Sequence, residues 1–169
     1  MQSQQVIEHW IQLYNCLTGG CYRVTTRSYT EPYETNAGVV CADGAGNLIA
    51  LEHALVGIRN EEPGARCLTV RDLLEHGLLK LSGANADKRI LLLESDSVSG
   101  AIDERYACVR DDARVKSLRR DVDEVWVAYT ALLDSENVIF TNRIDPEDND
   151  DCSLCSLNVN TGEFWRLRG

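Results

Sequence analysis

No stretch of this chain approaches the ~18 uncharged apolar residues of a membrane-crossing helix, and the N-terminus, MQSQQVIEHW, lacks the basic start and continuous apolar core of a signal peptide. Those absences predict a cytoplasmic protein that does not engage membranes. Basic residues are in deficit, 17 Lys and Arg against 27 Asp and Glu, for a net charge of −10. Such a surface repels phosphate backbones and acidic membranes unless a basic face is segregated, which counts against autonomous nucleic-acid binding. There is no repeat, no low-complexity linker, no G-x-S-x-G elbow and no Walker glycine pattern, so Ser95, Ser97 and Ser99 read as a turn or helix cap. Aromatics are sparse at 7%, yet 44% hydrophobic and 26% charged is the balance of a globular chain. A single domain over 1–169 is the expectation, and at this length roughly 70% of the unfolded surface is hidden, so neither disulfides nor a metal is required for folding.

The cysteines, at 16, 21, 41, 67, 108, 152 and 155, are odd in number and scattered through regular elements, the pattern of reduced thiols. Cys41 and Cys67 lie in apolar text and read as core. Cys152-Ser-Leu-Cys155 has a spacing that suits zinc or a dithiol switch, and Cys16 with Cys21 would complete a four-thiolate zinc site. Against a redox pair, Cys155 runs into an alternating, hairpin-like segment rather than opening a helix.

Val6, Ile7, Trp10, Ile11, Tyr14 and Leu17 recur at helical spacing, with Ser3 as cap and Gly19-Gly20 as stop. CYRVTTRSY, AGVVCAD and LIALEHALVGIR read as three strands, the last two a hairpin across residues 44–47. Thr69 and Asp72 imitate a capping box that opens a second helix with Val70, Leu73, Leu74, Leu78 and Leu81 on one face. The run Arg89–Leu93 reads as a strand covered on both faces. Ile102, Tyr106, Val109 and Ala113 mark a further helix, followed by the strands EVWVAYTALL and NVIFTNRI and a closing hairpin at Asn160-Thr161-Gly162. Six basic residues between 105 and 120 are accompanied by seven acids between 103 and 124, which reads as an ion-paired helix.

The order helix, three strands, helix, strand, together with a first helix carrying Glu8, the hairpin text GNLIALEHA and the strand text KRILLLESD, resembles the PD-(D/E)xK nuclease-like superfamily over residues 3–131. The resemblance implies an α/β (or α+β) protein of three layers, with a mixed central sheet, an αβββαβ core over about 3–131 and a C-terminal β-hairpin extension over about 132–169. It also implies a magnesium ion held by a carboxylate of the second strand and the acid of an E-x-K on the third, with the Lys assisting the attacking water. Glu52 matches that acid. Ala54 stands where the Lys is expected, and it can neither move a proton nor stabilise charge. Asp43 is the tempting second ligand, but with residues 44–47 as the turn it falls opposite Leu48 and Glu52 opposite Val39, roughly 13 Å apart. Glu8 is a third carboxylate, with a solvent-facing helix acid as its plainer reading. His9, His53 and His76 lie in separate elements, and His53 points away from Glu52 on a strand.

Two functions follow. The first is a non-catalytic, nuclease-like acidic protein that binds a protein partner and regulates or inhibits it; the run Asp145, Glu147, Asp148, Asp150 and Asp151 is its exposed feature. The second is a magnesium-dependent nuclease or phosphodiesterase using Glu52 with Glu8 or a rearranged Asp43, and a migrated base, Lys80 or Lys88. Nucleic acid is a partner only in the second case.

Overall fold

A computed structural model of the protein describes residues 3–26, 38–56, 63–95, 112–129, 136–142 and 154–168. The expected class is what it has: an α/β protein of three layers built on one mixed sheet. The described elements are helix α1 (Ser3–Thr18), strands β1 (Arg23–Thr26), β2 (Val39–Ala42) and β3 (Leu48–Val56), helix α2 (Pro63–Ser82), β4 (Lys88–Ser95), helix α3 (Ala113–Arg119), β5 (Glu124–Tyr129), β6 (Asn137–Asn142), β7 (Leu154–Asn158) and β8 (Phe164–Arg168). The eight strands lie side by side in chain order. Neighbours are antiparallel except β3–β4 and β4–β5, which are parallel. Parallel neighbours need a crossover, and α2 and α3 lie in those two connections. The last two strands form the C-terminal hairpin, its turn closed by Asn158, whose Oδ1 accepts from the Asn160 and Thr161 amides.

Strand β4 shows why the sheet is central. Ile90 and Leu92 point into a core shared with Val6, Trp10 and Tyr14 of α1, whereas Leu91 and Leu93 point into a core shared with Leu74, Leu78 and Leu81 of α2 and Val115 and Leu118 of α3. All four are essentially inaccessible, each contributing roughly 1.5–3 kcal/mol by leaving water. A charge at any of them would dismantle one of the two cores. The α1 stripe is as the spacing predicts, with Leu13 added to it and Leu17 only half-buried.

Two aspartates fix where the parallel strands start. Asp87 Oδ2 accepts from the Leu48 amide at 2.7 Å while its own N–H donates to Leu48 O. Asp123 Oδ2 likewise accepts from the Arg89 amide at 2.7 Å, and its N–H donates to Arg89 O. Each sits just before a strand and ties the end of its neighbour.

Three expectations are corrected. Helix α2 begins at Pro63, so Thr69 lies inside it rather than at its start; Pro suits a first helical position because its missing N–H would find no partner there. The β2–β3 turn spans residues 43–47 rather than 44–47: Ala42 pairs with Leu48 and Val39 with Leu51, a one-residue slip. Its cause is Asp43, whose Oδ1 accepts from the Ala45 and Asn47 amides and whose Oδ2 accepts from Asn47 Nδ2, closing a wider turn. Ala113 is not a buried stripe residue; it is exposed at the start of α3, behind the N-cap Asp112. Ile102, Tyr106 and Val109 lie outside the described residues. Among the described residues no helix is long and apolar enough to cross a membrane.

Candidate functional site

Alternation along β3 sends successive side chains to opposite faces. Ala50 and Ala54 belong to the core under α2 and α3, and Ile49 and Leu51 to the core under α1. Glu52 therefore points at α2, which approaches closely because residue 77 is glycine: a Cβ there would stand 2.8 Å from Leu91 Cδ1 and 3.8 Å from Glu52 Cγ. One turn further along, Lys80 reaches back over the same ground, and its Nζ lies 3.5 Å from Glu52 Oε1. The Glu52 side chain is 1% exposed and that of Lys80 7%. The carboxylate is thus neutralised by an ammonium that α2 carries to it.

The next residue repeats the arrangement on the other face. His53 Nε2 lies 2.8 Å from Glu94 Oε2, both side chains nearly inaccessible, at the C-terminal ends of the parallel strands β3 and β4. Two buried acid–base pairs thus stand back to back through one strand. Neither pairing is visible in the text, since the partners are 28 and 41 residues apart. The signal that hints at both is the same: ionisable residues inside the two most apolar strand runs.

The remaining predicted residues are dispersed. Asp43 is held in its turn, where hydrogen bonds from Asn47, then from the Ala45 and Gly46 amides, keep its carboxyl below the usual range. Its position beside Asn47 leaves five residues of strand, about 16 Å, between it and Glu52. Glu8 is exposed on α1, so the sheet stands between it and Glu52. Lys88 also turns toward α1: its Nζ donates to Tyr14 Oη at 3.0 Å, and that hydroxyl donates to Glu124 Oε2 at 3.2 Å. Asn142 Nδ2 completes this network at Glu124 Oε1, 3.4 Å away. The hydrogen bond to Tyr14 raises the Lys88 pKa, and burial raises that of Tyr14. Of the two migrated bases, only Lys80 meets Glu52.

The thiols divide. Cys16 and Cys21 are free and exposed, Cys41 and Cys155 free and buried, and Cys152 lies outside the described residues. Among the described residues no three His, Cys, Asp or Glu side chains gather as a metal site. Cys155 is fully buried in the α1-side core, and burial keeps its proton on, the opposite of what a thiolate ligand needs. The acidic run Asp145, Glu147, Asp148, Asp150 and Asp151 also lies outside the described residues. The described part of the basic segment forms ion pairs with α2. Arg114 Nε meets Glu75 Oε1 at 3.4 Å, and Arg71 Nε meets Asp112 Oδ2 at 3.0 Å, so the ion pairs join α3 to α2.

These residues do not fit a divalent cation. Magnesium takes several oxygen ligands near 2 Å, and Glu52 presents one carboxylate, already facing an ammonium, with Asp43 and Glu8 far from it. No protein-family model matches the chain, and no curated protein matches it.

Proposed function

We propose that the protein is a nuclease-like domain without catalytic activity, a pseudoenzyme that acts in the cytoplasm by binding a basic protein partner and regulating or inhibiting it. The PD-(D/E)xK resemblance is the starting point of this reading. The observation that carries it is the position of Lys80: its ammonium stands 3.5 Å from Glu52 Oε1, at 1% exposure of the acid, and supplies the positive charge that a metal ion would otherwise bring. The net charge of −10 supports a basic partner, because complementary fields speed encounter. The four free cysteines among the described residues fit a reducing compartment.

The test has two arms. With magnesium or manganese, single- and double-stranded DNA and RNA should be cleaved no faster by the wild type than by Glu52→Gln. Metal-dependent cleavage lost in Glu52→Gln would replace this reading with the phosphodiesterase one. Neutralising Asp145, Glu147, Asp148, Asp150 and Asp151 should slow association with the partner and flatten its salt dependence; unchanged association removes that segment from the account.

A further inference from the structure

Two exposed thiols flank one short loop. Cys16 lies in the last turn of α1 and Cys21 two residues before β1, both free. The ends of that loop are clamped from inside the protein. The Asn15 carboxamide donates from Nδ2 to Tyr22 O at 3.0 Å and accepts at Oδ1 from the Tyr22 amide at 2.8 Å. Residues 15 and 22 are therefore held side by side, and Cys16 and Cys21 are the next residues inward from the clamp. The Tyr22 ring lies 6.0 Å from that of Tyr14 and packs on the α1-side core. Cys21, the residue before it, is exposed, and so is Cys16. Between them, Gly19 reverses the chain at φ 70°, and Gly20 adds a second residue with no side chain to obstruct closure.

We propose that Cys16 and Cys21 form a reversible intramolecular disulfide, which makes the α1–β1 loop a redox-modification site whose oxidant is a low-molecular-weight disulfide such as oxidised glutathione. In the first step the thiolate of one cysteine attacks a sulfur of oxidised glutathione; a protein–glutathione S–S bond forms, the glutathione S–S bond breaks, and one glutathione thiolate leaves. The second cysteine, as thiolate, attacks the protein sulfur of that mixed disulfide and expels the second glutathione. Two protein thiols are oxidised to one disulfide, one oxidised glutathione is reduced to two glutathiones, and the two protons pass to the departing thiolates. The glycine pair lets the loop adjust to the ~5.5–6 Å Cα separation that the bond requires. Closure ties the end of α1 covalently to the edge strand β1. Cys41 and Cys155, inaccessible in the core, do not compete. The site is independent of the Glu52 pair and of the partner proposed above.

Trypsin makes the test direct, because the peptide Met1–Arg23 contains Cys16 and Cys21 and no other cysteine. The folded full-length protein is equilibrated across ratios of reduced to oxidised glutathione, quenched in acid, alkylated with iodoacetamide and digested. The expected result is loss of both labels from this peptide and a mass about 2 Da below the dithiol form, reversed by dithiothreitol. In Cys16→Ser the reaction should stop at a mixed disulfide on Cys21. The proposal is overturned if both thiols stay alkylatable throughout, if the oxidised end state carries glutathione without an internal bond, or if either cysteine is linked to one elsewhere in the chain.

Discussion

Lys80 Nζ stands 3.5 Å from Glu52 Oε1 with both side chains almost out of solvent, so α2 supplies the counter-charge that lets a strand carry an acid inside the sheet's covered face. Removing one member strands the other. Lys80→Met should therefore cost about 3–5 kcal/mol, whereas Glu52→Leu with Lys80→Met should fall within about 1 kcal/mol of the wild type. Urea denaturation of the four proteins of the cycle checks this; additive losses would mean that the pair is not coupled.

Gly77 sets how close α2 comes to β4. Alanine there gains up to about 1 kcal/mol of helix propensity, but its Cβ would meet Leu91 Cδ1 at 2.8 Å, and Leu91 is fully enclosed. Overpacking of that kind costs about 1–3 kcal/mol, so Gly77→Ala should lower stability despite better propensity, and Gly77→Val should lower it further. Thermal melts decide the sign, and a raised melting temperature for Gly77→Ala would show that α2 has room to move.

Asp112 caps α3 and takes Arg71 at the same time. The Arg71 hydrogen bond first, then the amides of Val115 and Arg114, hold its carboxyl below the usual 3.8. Because the folded value is depressed, the stabilisation is fully present above 3.8 and is lost as pH falls through the lower folded value. The stability difference between the wild type and Asp112→Ala should be constant from pH 7 to about 5 and shrink below pH 4. A difference that does not change with acid would assign the effect to packing instead.

Burial pushes the Cys41 thiol up to about 11 and raises that of Cys155 as well. At pH 8 only about one Cys41 in a thousand is thiolate, so native-state alkylation should modify the peptide holding Cys16 and Cys21 and spare Cys41 and Cys155. The same shift means that Cys41 stabilises the fold fully below pH 9, its ordinary value, and that this contribution fades as pH climbs toward 11. Mass spectrometry after a brief iodoacetamide pulse gives the ranking; labelling of Cys41 at the rate of Cys16 would contradict its enclosure.

The class of fold is legible because its strongest signals are local. The Val6–Tyr14 stripe marks a helix with one buried face, and the unbroken Ile90–Leu93 run marks a strand covered twice. What the text conceals is phase and register. Pro63 looks like a loop residue until its place at the head of α2 is known, and the wider turn at Asp43 depends on which amides its carboxylate captures. The face of Glu52 follows from β3 alone, and so does its separation from His53. That Lys80 rather than Lys88 arrives at Glu52 depends on how α2 is rotated over the sheet, which no periodicity reports across 28 residues. The Glu94 partner of His53 is hidden for the same reason.

The most direct test of a sealed, ion-paired Glu52 is manganese binding followed by electron paramagnetic resonance on the wild type, Glu52→Gln and Lys80→Met. The expected result is that the wild type shows no bound-manganese signal that Glu52→Gln abolishes. One equivalent of manganese bound by the wild type and lost in Glu52→Gln would mean that Lys80 yields its place to a cation, and the non-catalytic reading would fall.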